Sequence, residues 1–310
     1  MSQDDKYYST DIIAHYTSLD SAIKIIKTKK LLLTPRSNSF DCLERIFGYD
    51  AHLLRSQKRE NYDYMHSDEV QQFQNQISSF YAGIKQTCFC RTVQTNKYVK
   101  TIDDLSFLHT RMWEQYADCY KGVCLLFSMD KLIKANQDCI AGDMQYKPLS
   151  HLTCARIDEG TDIDQLRELG QEAFLPIRKQ QIIQQAFDKS LDYQEEHEYR
   201  VMKFSCSKDE KDYIDIKDSL VAVVYFPSYS RERMYEKSCN GEKCDYRTCE
   251  YKSFVSKQIE FIEYCKKNNI EVLRITTNPF GSIGFETEEQ YAYYMSAFRS
   301  TINEEETKKM

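Results

Sequence analysis

A chain of 310 residues that is 41% hydrophobic and 13% aromatic can bury a sizeable core, and its 9 Gly and 5 Pro form no linker-like stretch. The formal charge of −6 gives no electrostatic footprint for gripping phosphate backbones or anionic bilayers. No apolar run reaches the roughly 20 residues of a membrane span, and the opening residues lack a basic-then-apolar leader pattern, so a cytoplasmic protein with reduced thiols is expected.

The first element is a strand, Ile12 to Thr17, in which alternation places Ile13, His15 and Thr17 on one face and Ile12, Ala14 and Tyr16 on the other. Thr17 or Ser18 then caps a helix, Asp20 suits its first turn, and Ile23, Ile26 and Leu31 are the expected buried stripe. A short strand, Leu31 to Thr34, stops at Pro35 and leads into a polar loop holding Phe40, Asp41, Cys42 and Glu44. Val70, Phe73, Ile77, Phe80, Tyr81 and Ile84 recur at helical spacing, which predicts an amphipathic helix over 66–84.

A strand at Thr87 to Arg91 carries Cys88 and Cys90, and a helix ending near Ala117 carries Met112, Trp113 and Tyr116. Trp113 and Tyr116 lie one turn apart, a spacing that serves either a ligand or an ordinary core. There follow a β-rich strand over 122–128, a helix over 129–136, an edge strand near 143–147, and a helical region over 163–190 expected to kink at Pro176. Strands at Glu198 to Phe204, Tyr213 to Ile216 and Leu220 to Phe226 come next. A helix near 250–268 and a strand near 270–276 close the pattern, ahead of a charged tail expected to fray over 303–310. This mixture reads as α+β in one elaborated domain over 1–310, with a core of about 10–230 and an extension of about 250–290.

Glu196 and Glu198, separated by one residue at the start of a strand, are expected to project to one side with Arg200. An arginine beside a carboxylate keeps it ionised, ready to hold a hydroxyl or a developing positive charge; the plainer reading is a solvated acidic turn with a surface ion pair. Cys239, Cys244 and Cys249 lack the close pairs and the fourth ligand of a zinc site, and no metal is expected. Neither a His/Asp metal motif nor a Gly-rich phosphate loop is present, which disfavours a phosphodiesterase or nuclease.

His15-Tyr16-Thr17, Phe40-Asp41-x-x-Glu44, Cys88-Phe89-Cys90, Trp113-x-x-Tyr116-Ala117-Asp118 with Gly122-Val123-Cys124, and Glu196-x-Glu198-Tyr199-Arg200 together resemble the bacterial domain of unknown function 2971 over about 10–230. Cys42 stands where a proline is expected, and the Cys-rich stretch near 235–250 has no counterpart. The element order is similar to that of H-Y-E ADP-ribosyltransferases, which implies a split mixed and antiparallel sheet with helical insertions and NAD as substrate. On that resemblance Glu198 is the catalytic carboxylate with Glu196 beside it, and His15 holds a ribose. Tyr16, Thr17, Trp113, Tyr116 and Arg200 complete the NAD site, and Tyr116 stacks on nicotinamide. The implied activity is ADP-ribose transfer to an unknown protein or nucleic acid, in a toxin or an antiphage effector. An NAD glycohydrolase and a non-catalytic nucleotide- or partner-sensing module are the alternatives.

Overall fold

In a computed structural model the chain is a mixed α+β protein; residues 3–39, 41, 54–94, 101–152, 160–205, 210–227, 249–277 and 283–291 are described. The Phe40, Cys42 and Glu44 positions, Cys239, Cys244, the side chain of Cys249 and the tail fall outside them. In chain order the strands are β1 (Ile12–Thr17), β2 (Lys30–Pro35), β3 (Leu54–Arg55), β4 (Ile84–Arg91), β5 (Val123–Ser128), β6 (Ile140–Asp143) and β7 (Gln145–Lys147). They continue as β8 (Thr161–Asp162), β9 (Asp188–Ser190), β10 (Glu198–Phe204), β11 (Asp212–Asp215), β12 (Leu220–Tyr225), β13 (Glu271–Thr277) and β14 (Ile283–Thr287). The principal helices are α1 (Leu19–Thr28), α2 (Asp68–Ala82), α3 (Thr110–Tyr116), α4 (Met129–Ala135), α5 (Ile163–Leu169), α6 (Gln171–Gln185) and α7 (Cys249–Lys267). Among the described residues no helix is long and apolar enough to cross a membrane.

The chain gathers into two compact units of interleaved segments: Met1–Lys29, Thr92–Leu132 and Ile216–Met310 form the first, Lys30–Arg91 and Ile133–Asp215 the second. In the first, β1 pairs antiparallel with β5, β5 with β12, and β13 with β14, while β12 and β13 run parallel. Strand β5 is buried along its whole length, which is why it reads as a continuous apolar run rather than an alternating one. Ser18, not Thr17, caps α1 by accepting the Ser21 N–H, and the helix buries Leu19, Ala22, Ile25 and Ile26. Ile23 lies off this stripe and is only half-buried.

In the second unit an antiparallel sheet runs β11–β2–β4–β10–β6. Helix α2 buries Val70, Phe73 and Ile77 in a core shared with Leu166, Phe174, Ile182 and Met202; Phe73 and Phe174 stack with centroids 5.5 Å apart. The expected long helix over 163–190 is two helices, and the interruption falls at Gly170 rather than Pro176. Gly170 has φ +77°, a conformation that costs glycine nothing and ends α5, while Pro176 lies within α6. The expected edge strand near 143–147 is likewise two strands: β6 extends the main sheet, and β7 leaves it to pair in parallel with β9.

Candidate functional site

The chemistry of the second unit gathers where β9 turns into β10. Ser190 closes β9 and caps a 3-10 turn over Leu191–Glu196 by accepting the Asp192 N–H. His197 then takes the left-handed conformation, φ 43°, and β10 begins at Glu198. Glu196 and Glu198 are therefore brought together by a turn and a left-handed residue, not by the alternation of a single strand.

Both carboxylates meet one ammonium group. Lys189 Nζ lies 2.7 Å from Glu196 Oε2 and 2.6 Å from Glu198 Oε2, and it also sits 4.6 Å above the Tyr193 ring. Arg200 grips the other oxygen of Glu198 with Nε at 2.8 Å and Nη2 at 2.7 Å, and donates through Nη1 to the Ala186 carbonyl at 2.7 Å. The Glu198 backbone N–H donates to the Tyr146 hydroxyl at 2.8 Å. Register places Cys90 opposite Glu198 and Cys88 opposite Arg200 on the neighbouring strand β4, so both thiols border the cluster.

These groups are buried: Glu196 is 3% exposed, Glu198 5%, Lys189 6% and Arg200 0%. The plain reading of a solvated acidic turn is thus overturned; two carboxylates and two cations balance inside the protein. Burial alone would raise the Glu198 carboxyl, but the Arg200 and Lys189 charges, with a hydrogen bond from Cys88, outweigh it and hold the group well below the usual carboxylate range. Burial works against the Lys189 ammonium in turn, and Glu198 and Glu196 overcome it and hold the proton firmly. Burial and the same two carboxylates push the Cys90 thiol well up, which leaves it unreactive at neutral pH.

The other expected residues belong to the first unit. His15 is part-exposed on β1, whose other five residues are buried. The Tyr16 hydroxyl donates to the Ser106 carbonyl at 2.8 Å, and its ring meets Trp113 edge-to-face at 5.3 Å. Trp113 is fully buried; its indole N–H donates to the Phe107 carbonyl at 2.8 Å and its ring packs against Phe226 at 4.8 Å. Tyr16 and Trp113 therefore frame the unit's core, and Tyr116, part-exposed at the end of α3, is the ring of the helix pair that a ligand could touch.

Directly after α3, Asp118, Cys119 and Tyr120 occupy the left-handed region in succession, with φ of 48°, 49° and 67°. Three such residues without a glycine are costly, and the turn is pinned by Gly122, where a Cβ would lie 2.1 Å from the Thr17 carbonyl oxygen. The exit of β1 and the turn after α3 are thereby locked together. Reading the sequence identified Glu196, Glu198 and Arg200 but missed Lys189 and Tyr146; the one signal for Lys189 was a lone lysine nine residues ahead of Glu198, on a strand too short to show a period. Among the described residues no group of three or more His, Cys, Asp or Glu is placed to hold a metal ion.

Fold and site together define a mixed α+β protein whose second unit holds a buried carboxylate and cation cluster. Residues 112–201 match the family model described as "Protein of unknown function (DUF2971)", so the resemblance read from the motifs holds over that segment, which spans Trp113, Tyr116, Tyr146, Lys189, Glu196, Glu198 and Arg200. Comparison with curated proteins and with solved structures gave no match.

Proposed function

We propose that the chain is an ADP-ribosyltransferase-like enzyme that cleaves the nicotinamide–ribose bond of NAD and passes ADP-ribose to a protein or nucleic-acid acceptor, as a toxin or antiphage effector would. The observation that carries this reading is the pair Glu196 and Glu198, of which Glu198 is held ionised by Arg200 and Lys189. The reaction breaks the bond from ribose C1′ to the nicotinamide nitrogen, the electron pair leaves with nicotinamide, and an acceptor nucleophile bonds to C1′. A carboxylate that stays charged can accept a hydrogen bond from the ribose hydroxyl and stabilise the oxocarbenium-like state between these events.

In this reading Glu198 is the catalytic residue, and Lys189, Arg200 and Glu196 fix its charge and orientation. The family resemblance assigns NAD contacts to His15, Tyr16, Thr17, Trp113, Tyr116 and Arg200 as well. The chain order, histidine strand, then tyrosine helix, then glutamate strand, supports assigning the sheet to the ADP-ribosyltransferase type. A second reading has an observation of its own: every member of the cluster is more than nine-tenths buried and its charges balance, as a structural ion network in a non-catalytic sensing module would require.

The test incubates the full chain with NAD and cell extract and follows nicotinamide release, wild type beside Glu198→Gln, with a thermal melt of each. Release that falls about 100-fold or more in a variant that still folds is the expected outcome. Label from the adenosine half found on macromolecules marks a transferase, whereas free ADP-ribose alone marks a glycohydrolase. Wild-type protein that consumes no NAD sinks the enzymatic reading and leaves the structural network.

A further inference from the structure

The second unit also contains a cavity of about 730 Å³ that the NAD reading does not use. Its volume falls in the ~300–1,000 Å³ range of small-ligand sites. One wall is the two-stranded ribbon of β7 and β9, in which Gln145 pairs with Asp188, Tyr146 with Lys189 and Lys147 with Ser190. Alternation divides this ribbon between two environments. Tyr146 and Lys189 face the buried cluster, while Gln145, Lys147 and Asp188 line the cavity.

The lining selects the chemistry of an occupant. Its two cations are already engaged, Lys147 with Asp188 at 2.7 Å and Arg55 with Asp162 at 3.2 Å, and a third carboxylate, Asp143, pairs with Arg91. Among the described lining residues the carboxylates of Asp143, Asp162 and Asp188 outnumber the two cations, which disfavours a phosphate or carboxylate group. Among the described lining residues the apolar side chains are Phe187 and Ala141, too little to hold a lipid or a flat hydrocarbon. What the cavity offers in quantity is primary amide, from Gln145 and from Gln181, Gln184 and Gln185 on the last turns of α6. Among the described residues the side chains of Gln145, Gln184 and Gln185 make no hydrogen bond to other protein groups.

An amide presents two donors and an accepting oxygen on one plane, which matches a hydroxyl that both gives and takes a hydrogen bond. Carboxylates add acceptors, and the Phe187 ring adds a flat apolar face of the kind that packs on the C–H side of a sugar ring. Gly142 lies beside that ring, where even a Cβ would make only ordinary van der Waals contact at 3.4 Å. We infer that this cavity is a binding site for an uncharged, hydroxyl-rich ring, that is, a sugar. The site stands independently of the NAD reading and would exist in a catalytic or a non-catalytic protein.

The experiment titrates the full chain with D-ribose, D-glucose and N-acetyl-D-glucosamine, and with inorganic pyrophosphate as the charged counter-probe, by saturation-transfer NMR. The expected result is saturable binding of at least one sugar, weakened about tenfold or more in the double variant Gln184→Ala, Gln185→Ala, and no binding of pyrophosphate. Both glutamines lie outside the buried core, and a thermal melt checks that the variant folds like the wild type. The inference is overturned if no sugar saturates, if pyrophosphate alone binds, or if sugar binding survives the double substitution at unchanged melting temperature.

Discussion

Lys189 shows how much one side chain can carry in a low-dielectric site. Its ammonium is the only group that touches both Glu196 and Glu198 in the described cluster, so replacing it leaves two buried carboxylates close together, with Arg200 still holding Glu198. Lys189→Met keeps the aliphatic stem and removes the charge, and the expected cost is about 3–5 kcal/mol in urea unfolding, the range for breaking a buried ion pair from one side. A cost under about 1 kcal/mol would mean that the cluster relaxes or takes up a proton without strain. Glu198 and Arg200 were legible because a charged pair at a strand start carries its own signal, whereas Lys189 and Tyr146 were not, since their partners lie 9 and 52 residues away.

At the scale of elements, periodicity decided what could be read. Helix α2 and strands β5 and β12 were legible because a 3.6-residue repeat and β-branched runs survive any context. Strands β3, β8 and β9, of two or three residues, have no period to show, and they exist only because a distant segment offers a pairing edge. The break at Gly170 was missed for a related reason: Pro176 is the stronger formal breaker, yet α6 carries it at its sixth residue and forgoes one backbone hydrogen bond there without ending. The left-handed turn over Asp118 to Tyr120 is a sharper case, held by the close approach of Gly122 to β1. Gly122→Ala is expected to lower stability by about 1–3 kcal/mol, because the clashing atom is backbone and cannot swing aside. Gly142→Ala, whose nearest contact is a side-chain ring at 3.4 Å, should unfold at the wild-type urea midpoint and so serves as the control.

For the whole molecule the cluster predicts how stability follows pH. The Glu198 carboxyl titrates at about 2 in the folded protein against roughly 4.3 in an unfolded chain, so the unfolded state binds that proton first. The stabilisation is fully present above pH ~4.3 and is lost as pH falls toward 2. Asp212, lowered by the hydrogen bond from buried Lys85 despite the opposing effect of burial, adds in the same direction. Urea unfolding followed from pH 6 to pH 3 should show falling stability with a slope that is shallower in Glu198→Gln. An unchanged slope would indicate that Glu198 is already protonated in the native state. The α+β class was legible in the mixture of elements, while the two interleaved units were not, because segments that return to the same unit after long excursions leave no compositional seam.

The ribbon of β7 and β9 has one further consequence, for the spacing of residues rather than their identity. It is three residues deep and serves different chemistry on its two sides. A single residue inserted between Phe187 and Asp188 would turn every following side chain over, moving the Asp188 carboxylate in among Glu196 and Glu198 and the Lys189 ammonium out to the cavity. Point substitutions along this stretch spoil one side at a time; a change in its length exchanges the two. The count of residues from Ala186, whose carbonyl holds Arg200, to Ser190, which caps the turn to Glu196, is therefore as much a part of the site as any carboxylate in it.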